Sequence, residues 1–294
     1  MAVETTGSTV PRRQLGRHLR ELRGSQRITV KAAAEQLEWS EAKIWRIETG
    51  QTSLRSHDVE LMCRIYGAPA DLTEALMGLA RETKAKGWWQ AFGDVIPEWF
   101  DVYVGLEEAA AEISWYESEL VPGLLQTEEY ARTLIGADHP GVGEHEIDRR
   151  VQVRVQRQAL VRRATVPLKL RVVLSEAVLH RPVGGPQVMA AQLDRLAEAG
   201  ELANISLRVV PFSAGFHPGQ LTGGFEILRF PQNGDGTDSE PPTTYMDGYT
   251  GALYLDKPNE VERYAVAFGS ITQTSLDEPS SASLIRQAAE EMRQ

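Results

Sequence analysis

Glu41, Ala42, Lys43, Trp45 and Arg46 fall in one short stretch, SEAKIWRIETG. Their side chains offer the groups that distinguish one nucleic-acid base from another. A guanidinium such as that of Arg46 can donate two hydrogen bonds to guanine, and Lys43 can do likewise or hold a phosphate. Glu41 can accept from a cytosine amine, and Trp45 can pack on a thymine methyl or on deoxyribose. Thr29, Lys31, Ser40, Thr49, Gln51 and Arg55 flank them with hydroxyl, amide and cationic groups suited to phosphates on either side.

Such groups act only if a rigid element presents them. Thr29 is a plausible N-cap for a helix running to about Leu37, and Ser40 for the next, running to about Thr49 with Gly50 as its stop. On the second of these helices Ile44 and Ile47 lie one turn apart and face a core, which turns Glu41, Ala42, Lys43, Trp45 and Arg46 outward. Ala32, Ala33 and Ala34 are small enough for the two helices to cross closely. Leu15, Leu19 and Leu22 predict an earlier helix over about 13–23. A fourth helix begins at Asp58 with Val59, Met62 and Ile65 inward, and a fifth runs from Asp71 through Leu79 to about Lys84. Cys63, among apolar neighbours, reads as core filler.

The charge distribution agrees. The 294-residue chain carries a net charge of −10, yet residues 11–64 hold eleven Arg and Lys against seven Asp and Glu. A polyanion is therefore drawn to one end of the molecule and repelled by the rest. A single cysteine excludes an intrachain disulfide and fits a reducing cytoplasm. No apolar run is long enough for a membrane span, and the N-terminus lacks the apolar region of a secretion signal.

Residues 1–10, small and polar, read as a disordered tail, 11–84 as an all-α five-helix head, 85–110 as a connecting helix region rich in aromatics, and 111–294 as a larger α/β domain. Trp88, Trp89, Phe92, Trp99, Phe100 and Tyr103 suggest a hinge helix packed on the second domain. Residues 111–118 fit helix or strand. Helices are predicted near 128–135, 145–163, 186–199, 259–275 and 280–292, strands at 168–175, 206–212 and 225–230, a loop at 232–242, and a last hairpin from Tyr245 and 252–255. The fold class is α+β, mixed.

The stretch Arg17-x-x-Arg20-x-x-Arg23, then AAAEQL, then SEAKIWRIETG, resembles the Cro/repressor helix-turn-helix family known as XRE, over residues 13–80. The resemblance implies a double-stranded DNA operator, read by the second helix of the pair in the major groove. It also implies a buried ion pair of Arg23 with Glu48. One departure stands out: the turn between the paired helices usually carries Gly, and here Glu38 holds that place. Either the turn has another shape or packing of Trp39 compensates for a left-handed residue.

WYESELVPGLLQTEEYARTL, RVQRQALVRR, LSEAVLHRPVGG, VVPFSAGFHPG and GGFEILRF are similar to an actinobacterial domain, over most of residues 88–292, found behind such helix-turn-helix heads in antitoxin-like, WhiJ-like regulators. This likeness implies a regulator paired with a small protein encoded beside it. Dimerisation is expected because one such head makes too few contacts for tight specific binding; a homodimer would read an inverted repeat.

The basic helix at 145–163 fits a solvated or salt-bridged face, a dock for an acidic partner through Arg149, Arg150, Arg154 and Arg157, or a second DNA contact. Glu107, Glu108, Glu112, Glu117 and Glu119 read as solvated surface. His180 and His217 lack partners at metal-ligand spacing, and no catalytic or nucleotide motif is present, so neither an enzyme, a metal site nor a cofactor is expected. Two roles remain open for the second domain, binding a small partner protein or sensing a small molecule, and an antitoxin-like role in neutralising the partner stands beside them.

Overall fold

The structure, a computed structural model, describes residues 9–83, 87–163, 166–232, 238–249 and 251–294, with the backbone alone of Glu82, Glu98 and Trp99. The chain divides into two compact units, residues 1–93 with 97–109 and residues 94–96 with 110–294.

The first unit is helical: α1 (Thr9–Ser25), α2 (Val30–Leu37), α3 (Glu41–Glu48), α4 (Ser56–Ile65), α5 (Ala70–Glu82), a 3-10 turn at Trp88–Phe92 and α6 (Glu98–Ala109). Leu15, Leu19, Ala33, Ala34, Leu37, Ile44, Ile47, Val59, Met62, Cys63 and Tyr66 form its core. α1 begins earlier than leucine spacing alone predicts. Thr9, Arg12, Arg13 and Gly16 are buried on it, and a side chain at Gly105 of α6 would run into Thr9. Arg12 Nη2 donates to Asp101 Oδ2 at 3.2 Å, and the Trp89 indole donates to Asp101 Oδ1 at 2.6 Å. The head is thus not complete at α5. Its expected five helices gain α6, and the connecting stretch 85–110 is divided between the two units. Of the predicted disordered tail, residues 1–8 lie outside the described residues, as does Lys84, while Thr9 and Val10 are helical.

The second unit holds β1 (Glu112–Glu117), α7 (Glu128–Asp138), α8 (Glu144–Arg157), β2 (Lys169–Ser175), α9 (Pro186–Ala199), β3 (Ile205–Val210), α10 (Gly219–Thr222), β4 (Phe225–Arg229), β5 (Thr243–Gly248), β6 (Gly251–Leu255), α11 (Pro258–Thr274) and α12 (Glu278–Met292). One six-stranded sheet runs in the order β3-β2-β1-β4-β5-β6. β1, β2 and β3 are parallel, with Trp115 beside Val172 and Val172 beside Leu207. β4, β5 and β6 are antiparallel, and Trp115 also meets Glu226. The ambiguous stretch 111–118 therefore holds a central strand, and its four middle residues, Ile113, Ser114, Trp115 and Tyr116, are buried on both faces. The overall class is α+β.

Tyr116, Val173, Phe225 and Ile227 of one face meet Val261, Phe268 and Ile271 of α11. Gln192 of α9 is buried because its amide is used twice, donating to Leu125 O at 2.9 Å and accepting from Thr127 N–H at 2.7 Å. Among the described residues, no helix is long and apolar enough to cross a membrane.

The acidic stretch departs from a solvated face. Glu107 is fully buried and accepts from the Tyr103 hydroxyl at 2.9 Å. Glu117 accepts from the Trp115 indole at 3.0 Å, and its carboxylate lies where a side chain at Gly224 would sit. Burial, and then the charge of Asp247, push the Glu117 carboxyl up to about 7. The basic helix is shorter than predicted: the α-helical part ends at Arg157 and a 3-10 turn follows at Gln158–Arg162. Leu168 N–H donates to Leu160 O and Asn204 Nδ2 to Val161 O, which fixes that turn against the sheet.

Candidate nucleic-acid interface

The interface is built from α2, the turn after it, and α3. Thr29 caps α2 with its Oγ1 accepting from Ala32 N–H at 3.1 Å, and Ser40 caps α3 with its Oγ accepting from Lys43 N–H at 3.2 Å. Each hydroxyl keeps its own proton and can still donate to a phosphate. Between the caps, Glu38 sits at φ 55°, ψ 37°, so the turn keeps its left-handed shape without glycine. Its N–H donates to Glu35 O, the next N–H, of Trp39, donates back to Ala34 O at 2.9 Å, and Trp39 packs on the core. These bonds and that burial offset the roughly 1–2 kcal/mol of the strained residue.

Ile44 and Ile47 are buried, and α3 crosses α1 at a distance only glycine permits: a Cβ at Gly16 would stand 2.4 Å from Ile47 O. Gly16 was not singled out from the sequence, although a lone glycine within a helical repeat is a signal of close approach. Gly50, at φ +74°, ends the segment and lies against the Arg13 backbone.

Opposite that buried face, Glu41, Ala42, Trp45 and Arg46 are exposed, Trp45 to 54%. Lys43 differs. It is half-buried, with its ammonium 3.3 Å above the Trp39 ring, so part of its reach is spent on that contact. Among the flanking groups Lys31, Gln51 and Arg55 are exposed. The Thr49 hydroxyl donates to Trp45 O at 2.8 Å, which leaves only lone pairs, and a phosphate oxygen needs a donor. Arg27, exposed at φ 56° two residues before the Thr29 cap, is a further cation near the α2 N-terminus, where anions are favoured.

Behind the interface Arg23 and Glu48 form a two-pronged ion pair, Nε–Oε1 2.6 Å and Nη2–Oε2 2.7 Å. Arg23 Nη1 also donates to Ile28 O at 2.7 Å, which ties the end of α1 to the start of α2. The hydrogen bond to Glu48 holds the guanidinium above its ordinary range. Burial, and then the Glu48 charge, push up the neighbouring Tyr66 phenol.

The arginines of α8 are not free to dock a partner. Arg157 is buried. Arg149 bonds Asp94 at 2.7 Å, Arg150 bonds Glu146 at 2.5 Å and Val95 O at 2.9 Å, and Arg154 donates to Gln126 at 3.1 Å. The helix is an internally salt-bridged face, and its charge serves the domain's own packing. His217 is buried with Nδ1 accepting from Gly219 N–H at 3.2 Å, and burial lowers its basicity. His180 is exposed, 3.5 Å from Glu176.

A capped helix pair with a buried apolar side and a polar outer face defines the class, a helix-turn-helix DNA-binding head. The family model described as "Helix-turn-helix domain" matches residues 14–76. Residues 100–287 match "Domain of unknown function (DUF5753)", and the chain belongs to that family. No curated protein and no solved structure matches it.

Proposed function

We propose that this protein is a sequence-specific transcriptional regulator that binds an inverted-repeat operator as a homodimer. The carrying observation is the outer face of α3, where Arg46, Trp45, Glu41 and Ala42 are exposed on a helix fixed by caps and the Arg23–Glu48 pair. Arg46 is the principal base reader. Lys31, Arg55, Gln51 and the capping hydroxyls of Thr29 and Ser40 hold phosphates. Lys43, braced on Trp39, contributes charge near the groove.

The second domain, in this reading, binds a small protein encoded nearby, as in antitoxin-like, WhiJ-like regulators, and that contact tunes DNA occupancy. What supports a protein ligand is the β3–β4 connection, where Phe212, Phe216 and Leu221 are all exposed. These residues replace the α8 arginines as the docking candidates. A small-molecule sensor is the second reading; the cleft of about 160 Å³ lined by Arg171, Arg208, Ser206 and Phe268 is small and open to solvent, and Ser206 and Arg208 already bond Glu278 and Thr272 O, which places the protein-binding reading first.

The test is a genomic pull-down with the purified protein at physiological salt, sequencing the bound DNA. A short inverted repeat is expected. Absence of any enriched sequence, with and without the neighbour-encoded protein, overturns the regulator reading.

A further inference from the structure

The first turn of α3 carries a cation where the helix dipole disfavours one: Lys43, three residues after the Ser40 cap. Among the described residues no carboxylate or carbonyl bonds its ammonium. What holds it is the Trp39 ring, with the nitrogen 3.3 Å from the ring centre. Trp39 is itself fixed. It precedes the cap, its N–H donates to Ala34 O at 2.9 Å, and its side chain packs on the core that contains Ile44. An apolar residue just before the cap, packed with the fourth helical residue, sets the angle at which the chain enters a helix. The same indole therefore anchors the start of α3 and carries the cation beside it.

A lysine without such a brace is a point charge on a flexible stem, suited to phosphates, whose contacts fix register and carry no sequence information. A braced lysine differs. Much of its freedom is already lost before DNA arrives, and the ring occupies one side of an ammonium whose N–H donors are otherwise uncommitted. We propose that Trp39 is a positioning residue and that Lys43, held by it, reads a guanine edge in the major groove at a base pair distinct from that read by Arg46. Guanine is the base that presents two acceptors there, O6 and N7, and an ammonium has only donors to offer. Lys43 and Arg46, three residues apart, are neighbours on the helix surface, so both enter the groove with the same end of α3. The proposal rests on the regulator reading above and decides between the two chemistries open to Lys43.

The experiment uses the full chain. Binding-site selection from random duplexes gives the preference at each base pair for the wild type, Lys43→Met, Trp39→Leu and Trp39→Phe, with a melting curve for each. Lys43→Met should lose a guanine preference of roughly tenfold or more at one base pair. Trp39→Leu should lose the same preference with Lys43 still present, and Trp39→Phe, which keeps a ring beside the ammonium, should retain most of it. Two measurements on the unaltered Trp39 hold even if Trp39→Leu does not fold. In the wild type, the side-chain methylene protons of Lys43 should be shifted upfield by the ring current. Replacing the selected guanine by 7-deazaguanine should weaken wild-type binding and leave Lys43→Met unchanged. Ordinary Lys43 proton shifts overturn the brace, and a folded Trp39→Leu that keeps the preference overturns the positioning role. A loss spread evenly over all sequences in Lys43→Met, or indifference of the wild type to 7-deazaguanine, overturns the guanine contact. Each of these outcomes leaves the regulator standing, whereas a wild type that selects no sequence overturns both.

Discussion

Arg12 and Asp101 form an ion pair inside the helical head, 3.2 Å apart in space and 89 residues apart in sequence. The guanidinium is buried, so losing its partner leaves a charge with poor solvation. Asp101→Ala should destabilise the head by roughly 2–4 kcal/mol, near the lower end for a broken buried pair because Asp101 keeps some solvent contact. A fragment ending at residue 84 lacks α6 and should melt lower than one ending at 109. Equal melting temperatures would show that α6 merely rests on the head.

The Arg23–Glu48 pair makes a sharper separation of stability from recognition. Glu48→Ala should cost about 3–5 kcal/mol by stranding Arg23, and should abolish DNA binding by unfolding the module. Circular dichroism read beside a gel shift distinguishes this from a loss of contact. A folded variant with altered base preference would move Glu48 from the scaffold to the reading surface.

Arg46→Ala should lose roughly 1–3 kcal/mol and relax preference at one base pair, with the fold intact. Lys31→Ala should weaken all sequences alike and flatten the dependence of affinity on salt. Selection of binding sites by each variant, at two salt concentrations, checks both. An unchanged preference for Arg46→Ala would mean that α3 enters the groove in another orientation.

Glu38→Gly tests the strained turn. Glycine removes the left-handed penalty of about 1–2 kcal/mol but adds unfolded-chain freedom of about 0.5–1 kcal/mol. A net stabilisation of about 0.5–1 kcal/mol is expected in chemical denaturation. A loss would show that the Glu38 side chain itself contributes to the turn.

Glu117 gives a pH signature. Its folded pKa, about 7, lies above the ordinary 4.5, so the folded state binds the proton more tightly than the unfolded chain. Its contribution is therefore most favourable below pH 4.5 and is lost as pH rises to about 7. Glu117→Gln should stabilise the second domain at pH 8 by roughly 1–3 kcal/mol and change little at pH 4.5. Melting curves at the two pH values decide it.

The parts legible in the sequence were those fixed by neighbours. Thr29 and Ser40 cap α2 and α3, and Gly50 follows Thr49 at the end of α3, so the limits of the recognition pair follow from residue types within a few positions. Pro186 likewise marks the start of α9, with proline at the first helical position. What escaped depends on distant partners. Nothing near Arg12 indicates Asp101, and nothing near Arg149 or Arg154 indicates Asp94 or Gln126, so buried or paired arginines look the same as a docking face. Glu107 is similar, since its burial follows from the packing of α6 and not from its composition.

The placement of α6 also bears on how the chain is made. α1 and α6 are the first and last helices of the head, and only Ala110 and Ala111 separate α6 from β1. A chain emerging from the ribosome N-terminus first has α1–α5 in solution before Asp101 arrives to neutralise Arg12. The head therefore closes only as the sheet domain begins to appear. A product terminated before α6 carries the whole outer face of α3 and yet lacks the Asp101 partner of Arg12; under the proposed function it should therefore be cleared by proteolysis sooner than it acts as a free operator-binding fragment.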